Sequence, residues 1–68
     1  METSVIKVGG MSCQGCVRSV TSVLQALPGV SGAEVSLERG EARVEHDADK
    51  VGLVEIKRAV VEAGFEAE

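Results

Sequence analysis

Two cysteines, Cys13 and Cys16, are the only thiols in this sequence, and two residues separate them. They stand in the stretch GGMSCQGCVRSV, between a pair of glycines and a segment with helical periodicity. Thiols at this spacing support three kinds of chemistry: a short disulfide, a thiol–disulfide redox couple, or a pair of thiolate ligands for a soft metal ion. The residues around them favour one of the three.

The disulfide is the weakest of these interpretations because the loop is so small. A Cys13–Cys16 bridge would close a loop of four residues and would join no two separate elements. From the lost entropy of the unfolded chain, such a loop would add only about 2 kcal/mol of stability. Disulfide frameworks of small secreted domains use more cysteines at longer separations. We therefore do not expect a structural staple.

The redox couple has more support, since C-x-x-C at the start of a helix is also the thioredoxin motif, where the helix dipole lowers the thiol pKa. That kind of site belongs to a larger domain with a βαβ pattern, and an aromatic residue usually precedes its first cysteine. Here Met11 and Ser12 precede Cys13, and the chain is short. A thiol–disulfide redox protein remains the alternative in another class.

A metal pair accounts for more of the residues. Thiolates select Cu(I), Zn(II) and related soft ions, and exposed helix N–H groups with the nearby Arg18 would stabilise an anionic site. A structural zinc site takes four ligands, but the sequence offers no third cysteine, and His46 is predicted at the opposite edge of the molecule. Two thiolates suit a low-coordinate monovalent d10 ion such as Cu(I). They also leave the ion open to thiolates of a second protein.

Composition excludes several other classes. The net charge is −4 and the basic residues are dispersed, which argues against nucleic acid as a partner. Phe65, the single aromatic residue, offers no platform for stacking bases. No apolar run exceeds four residues, so we expect neither membrane insertion nor a signal peptide, and predict a cytoplasmic protein. The sequence contains no acid–base pair that would indicate an enzyme. Its length indicates a single domain over residues 1–68.

The elements that must position the cysteines follow from hydrophobic periodicity. Thr3–Val8 alternates as a strand, and Gly32–Glu38 and Glu41–His46 alternate as a hairpin around Arg39-Gly40. A helix runs from about Gln14 to Pro28-Gly29, and its predicted buried positions are Val17, Val20, Val23, Leu24 and Leu27.

A second helix begins after Gly52, a plausible N-cap with Glu55 three residues on, and Gly64 ends it. Its predicted buried positions are Leu53, Ile56, Ala59, Val60 and Ala63. Phe65–Glu68 can supply only a very short last strand.

The predicted order β-α-β-β-α-β indicates an α+β fold, a ferredoxin-like two-layer sandwich whose antiparallel sheet is covered on one face by two helices. In that topology the end of the first strand, the hairpin turn and the loop after the second helix share one edge. We therefore expect the cysteine loop, Arg39-Gly40 and Gly64-Phe65 to be neighbours, with His46-Asp47 at the opposite edge.

The stretch GMSCQGC (Gly10–Cys16), followed by a helix with periodic valines, resembles the G-M-x-C-x-x-C signature of heavy-metal-associated domains. LPGV (Leu27–Val30) and EAGFEAE (Glu62–Glu68) also lie where that family has them, so the resemblance covers essentially the whole chain. The family has the same β-α-β-β-α-β order. It includes cytosolic copper chaperones and the N-terminal metal-binding domains of copper-transporting P-type ATPases.

The resemblance implies a Cu(I) metallochaperone that passes copper, by thiolate exchange, to the metal-binding domain of a copper-transporting P-type ATPase. A detached metal-binding domain of such an ATPase is the nearest alternative. Zn(II), Hg(II) and Ag(I) are expected to bind in vitro. We expect a monomer without metal, and two exposed thiol pairs could share ions in a copper-bridged dimer.

The same resemblance assigns roles to single residues. Cys13 and Cys16 would bind Cu(I), Met11 would anchor the loop from the core, and Phe65 would cover the site as a lid. Phe65 replaces the tyrosine of many bacterial chaperones and is common in transporter-attached domains. Zinc- and cadmium-handling members often carry an aspartate where this chain has Ser12, and the neutral residue favours copper. The remaining candidates are contacts to a partner: Gln14, Gly15 and Arg18.

Overall fold

The computed structural model describes residues 1–68 and contains four strands and two helices in the predicted order. Their bounds are β1 (Glu2–Gly9), α1 (Gln14–Gln25), β2 (Val30–Ser36), β3 (Glu41–His46), α2 (Leu53–Glu62) and β4 (Glu66–Ala67). The strands form one antiparallel sheet in the order β2-β3-β1-β4. The predicted ferredoxin-like α+β fold is confirmed. Neither helix is long and apolar enough to span a membrane.

The core lies between the sheet and the two helices. Alternation along the central strands buries Ile6 and Val8 of β1, and Ala42 and Val44 of β3, whereas their sequence neighbours face the open side. Each helix contributes residues four positions apart, as one helical face requires. The nine buried apolar residues are Ile6, Val8, Val20, Leu24, Ala42, Val44, Val51, Ile56 and Val60.

The two ends of α2 have defined caps. At the start, the backbone N–H of Gly52 donates to the carboxylate of Glu55, as the sequence predicts. At the end, the N–H of Phe65 donates to the carbonyl of Val60 (3.2 Å), and that of Gly64 to the carbonyl of Val61 (3.0 Å). Gly64 has φ +99. These bonds form a Schellman motif, which turns the chain from the helix directly into Phe65.

Some predicted boundaries are wrong by a few residues. β2 ends at Ser36 rather than Glu38, and the hairpin turn occupies residues 37–40. α1 ends at Gln25 because Leu27 precedes a proline, which disfavours helical backbone at that residue. Leu27 still packs against the core from outside the helix.

Two predicted core positions of α2 are also wrong. Leu53 is 40% exposed because it lies at the end of the sheet where β1 begins, whereas the two-residue strand β4 pairs only with the other end of β1. Ala63 is exposed because it is the C-cap of the helix rather than part of its buried stripe.

His46 lies at the edge of the sheet opposite the cysteine loop and is almost fully buried. Its Nδ1 is 2.9 Å from the carbonyl oxygen of Val51, and its Nε2 is 2.8 Å from the hydroxyl of Ser4. A carbonyl only accepts, so Nδ1 carries the proton and donates, and Nε2 accepts from Ser4 in the neutral ring. Both ring nitrogens are thus used within the fold.

Candidate metal centre

The two thiols lie together where α1 begins. Cys13 is the N-cap residue, with extended backbone (φ −158, ψ 172), and Cys16 lies in the first turn. The carbonyl of Cys13 accepts the N–H groups of Cys16 (3.0 Å) and Val17 (3.3 Å), which fixes the backbone of both cysteines. The side chain of Cys13 caps no helix N–H and is exposed, whereas Cys16 is half-buried. The two Sγ atoms are 3.7 Å apart.

This separation suits two sulfur ligands of one ion. Metal–sulfur bonds of about 2.3 Å allow at most about 4.6 Å between two sulfurs on a single ion. The observed pair is within that limit without movement of the backbone. No group of three or more His, Cys, Asp and Glu side chains is placed to hold a metal. The arrangement therefore offers two thiols on an open surface, with room for a ligand from outside.

The pKa of the Cys16 thiol lies below its ordinary value. The largest cause is a hydrogen bond from the backbone N–H of Ser12, followed by hydrogen bonds from the side chains of Cys13 and Ser12, while partial burial acts in the opposite direction. The hydroxyl of Ser12 is 3.9 Å from Sγ of Cys16. Hydrogen bonds to the thiolate stabilise the form that binds soft metal ions.

Met11 and Phe65 are the two residues predicted to flank the cysteines from the core side. Met11 and Phe65 are both half-buried and pack against the core. A β-carbon on Gly10 would be 3.7 Å from Cδ1 of Phe65, so the aromatic ring borders the loop that leads to Cys13. The N–H of Val8 donates to the carbonyl of Gly40 (2.8 Å), which brings the hairpin turn to the same edge.

The predicted partner contacts are on the surface beside the thiols. Gln14, Gly15 and Arg18 are exposed on the first two turns of α1. Arg18 takes part in neither of the two ion pairs of the structure, which join Glu41 to Lys7 and to Arg39. Its cationic group is therefore available to a partner.

The sequence did not reveal the role of the Ser12 backbone. Ser12 drew attention only as a neutral residue before Cys13, whereas its N–H contributes most to stabilising the thiolate of Cys16. The direction of an N–H depends on the conformation of the loop, and residue types alone do not specify it. The tight spacing of the motif was the one available signal that this backbone passes close to the second sulfur.

Comparison with known proteins agrees with the geometry. The model of the heavy-metal-associated domain matches residues 5–66. The copper chaperone CopZ of Staphylococcus saprophyticus is 44% identical over 66 residues, 97% of each chain. A copper-binding domain from HMA7, a P-type ATPase, has a TM-score of 0.98 at 38% identity, covering 100% of this chain and 92% of that one. A CopZ metallochaperone structure has a TM-score of 0.95 at 34% identity, covering 98% and 100%. The chain belongs to the heavy-metal-associated domain family.

Proposed function

We propose that this chain is a Cu(I) metallochaperone that carries one Cu(I) ion between Cys13 and Cys16. The observation that carries the proposal is the pair of thiols 3.7 Å apart on an exposed helix start. Two thiolates are the donors that a soft monovalent ion prefers. The match to copper chaperones over nearly their whole length supports the same function.

Transfer would proceed by ligand exchange with a second pair of thiols. A partner thiolate forms a bond to Cu(I), giving a three-coordinate ion, and a resident Cu–S bond then breaks to release a thiolate. Cys13 is the more exposed sulfur and is the one a partner reaches first. Cys16 is half-buried, so it would hold the ion until the second partner thiolate arrives.

The flanking residues would control access rather than bind copper. Phe65 lies beside the loop and would cover it from one side, while Met11 packs against the core and would anchor the loop there. Gln14, Gly15 and Arg18 are exposed on the first two turns of α1 and would contact the partner. The partner we propose is the metal-binding domain of a copper-transporting P-type ATPase.

The proposed role is carriage and transfer, without catalysis. Ligand exchange requires both thiols to be reduced, and the compartment we propose is therefore the cytoplasm, where thiols are kept reduced. Zn(II), Hg(II) and Ag(I) would bind the same sulfurs in vitro. A detached ATPase domain is the second candidate, and the TM-score of 0.98 to such a domain is the observation that favours it.

Competition for Cu(I) tests the proposal. Reduced protein is titrated with Cu(I) in the presence of a strong chromophoric Cu(I) chelator, and Zn(II), Hg(II) and Ag(I) are then added in competition. We expect one Cu(I) per chain, and no competition from the double variant Cys13→Ser/Cys16→Ser. Ser22→Ala, on the exposed part of α1, is the matched control and should bind as the unchanged chain does.

If the double variant competes with the chelator for Cu(I) as well as the unchanged chain does, the proposed metal-binding function is wrong. Turnover of a disulfide substrate, together with a reduction potential poised for exchange, would instead support the redox alternative.

Mixing the copper-loaded protein with an apo metal-binding domain of a copper-transporting ATPase then measures transfer directly. A distribution of copper that depends on both thiols of each protein is the expected result.

A further inference from the structure

Strand β1 is only partly covered on the side of β4. β4 pairs with Val8 and Gly9, and one further pair of backbone hydrogen bonds joins Lys7 to Glu68, at 3.0 and 2.8 Å. Residues Glu2–Ile6 pair with β3 on one side and have no strand on the other. We call this unpaired side of Glu2–Ile6 the free edge of β1.

The backbone groups on the free edge can be identified from the alternation of antiparallel strands. The N–H and C=O of Lys7 both bond to Glu68, so those of Val5 and Thr3, two and four residues earlier, point to the same side. None of the backbone bonds outside the regular ladders involves Thr3 or Val5. Both residues are exposed, Val5 to 52%. The free edge therefore presents two N–H donors and two C=O acceptors in strand geometry.

β2, the outer strand on the other side of the sheet, is protected against pairing with a further strand, whereas the free edge of β1 is not. β2 carries a bulge between Val30 and Gly32 and has Glu34 exposed in its middle, two features that hinder the addition of another strand. β1 keeps an unbroken register with β3 from Glu2 to Lys7 and contains no proline. Thr3 and Val5 also have high β-propensity.

Charge indicates what kind of strand fits. On the open face of the sheet, opposite to the buried side chains, lie two cationic and five acidic residues, which are Lys7, Arg43, Glu34, Glu41, Glu45, Glu66 and Glu68. Glu68 ends the paired region of β1, and Glu2 lies at the far end of the free edge. A second copy of this chain, with net charge −4, would add like charge. A basic strand would complement it.

The other face of an added strand would meet the helix layer. α2 begins at the same end of the sheet as β1, since Val51 bonds to His46, which pairs with Glu2. Its first two residues are apolar and exposed, Leu53 to 40% and Val54 to 70%. Alternate residues of an added strand point to this layer and to the open face, so the strand that fits alternates apolar with basic residues.

We propose that the free edge of β1 binds an extended, proline-free segment of a partner protein whose residues alternate between basic and apolar, by addition of a strand to the sheet. The segment runs antiparallel to β1, in line with β4. The cysteine loop follows the other end of β1, so the segment and a metal ion can be held at the same time. The inference is independent of which metal, if any, the thiols carry.

Hydrogen exchange measured by NMR on the complete chain tests the proposal with capped seven-residue peptides as probes. One peptide alternates lysine with valine, a second alternates glutamate with valine, and a third is the lysine peptide with its central valine replaced by proline. We expect the lysine peptide to slow exchange of the Thr3 and Val5 amides at least about tenfold at saturation, as new hydrogen bonds do. The other two peptides should have no effect. The Ile6 amide, already in the ladder with β3, serves as the internal reference.

Val5→Pro is the matched variant, because it removes a donor on the free edge and leaves the ladder with β3 intact. It should abolish the effect of the lysine peptide. Thr3→Pro gives the same readout at the start of the strand if Val5→Pro does not fold. Unchanged exchange with the lysine peptide, or equal slowing by the glutamate peptide, would overturn the proposal. So would slowing that follows protein concentration without peptide, since the occupant would then be a second copy.

Discussion

Phe65 lies against Gly10, with its Cδ1 3.7 Å and its Cα 3.9 Å from the point that a β-carbon of Gly10 would occupy. Phe65 follows the end of α2, and Gly10 begins the loop that carries Cys13. The contact joins the end of α2 to the loop that carries Cys13. Substitutions on either side of it should therefore affect the metal site.

Phe65→Ala should accelerate loss of Cu(I) to a chelator while the fold persists. The ring is half-buried, so its removal should lower the free energy of unfolding by about 1–2 kcal/mol, below the cost of a fully buried phenylalanine. If the ring adds about 1 kcal/mol to the exchange barrier, copper loss becomes about five times faster. Stopped-flow transfer to a chromophoric chelator measures the rate. Val61→Ala removes exposed apolar surface elsewhere on α2 and is the control; the same acceleration there would deny Phe65 a specific role.

Gly10→Ala should destabilise the protein through the backbone rather than through crowding. Gly10 has φ +91, and an L-residue held in that region costs about 1–2 kcal/mol, whereas the contacts its β-carbon would make are of ordinary length. Urea unfolding measures the difference. Gly15→Ala is the comparison, since Gly15 is inside α1 without positive φ and should gain up to about 1 kcal/mol of helix propensity. A neutral Gly10→Ala would show that the loop adapts freely.

The lowered pKa of Cys16 predicts a pH profile for alkylation of the metal-free protein. The thiolate is the reactive form, so alkylation of Cys16 should begin at lower pH than that of an ordinary cysteine. Cys13→Ala removes the second-largest cause of the shift and leaves the Ser12 N–H in place. Its profile should therefore move toward higher pH without reaching the ordinary value. Mass spectrometry of iodoacetamide-treated protein at a series of pH values resolves the two sites, and an unmoved profile would exclude Cys13 as a donor.

His46→Phe should weaken the fold and leave the metal site unchanged. The substitution leaves the buried Val51 carbonyl and the half-buried Ser4 hydroxyl without their partner, at a cost of about 1–3 kcal/mol that comes mainly from the carbonyl. Ser4→Ala removes one of the two bonds and should cost about 1 kcal/mol. Thermal unfolding measures the stability, and competition with a chelator measures the copper affinity. A lower affinity in protein that is still fully folded would mean that the two edges of the sheet are coupled.

Periodicity along the chain was sufficient to predict the layers of this fold. Ala42 and Val44 alternate with charged residues, and Ile56 and Val60 recur at helical spacing, so burial on one face of each element follows from sequence alone. The same rule failed at Leu53, because periodicity tells which face a residue occupies and not whether another element covers it. Leu53 is 40% exposed at the end of the sheet where β1 begins, and β4 pairs only with Val8 and Gly9 at the other end of β1.

The candidate site shows the same division. Adjacency of Cys13 and Cys16 could be predicted, since a residue at a helix start and one in the first turn lie on the same end of the helix. The contact between Phe65 and Gly10 was anticipated only as a shared edge of the sheet. The part that the Ser12 backbone plays in lowering the pKa of Cys16 was not anticipated, because it depends on loop torsion angles that no residue type in the motif dictates.

The position of Phe65 depends on the left-handed backbone conformation of Gly64, the residue that ends α2. At Gly64 a β-carbon would meet no atom within 4 Å, although φ is +99. An alanine there would meet no close neighbour, so a loss of stability in Gly64→Ala would come from the backbone conformation rather than from crowding. The one achiral amino acid thus sets the direction in which the chain leaves the helix, and with it the side from which the aromatic ring approaches Gly10 and the loop that carries Cys13.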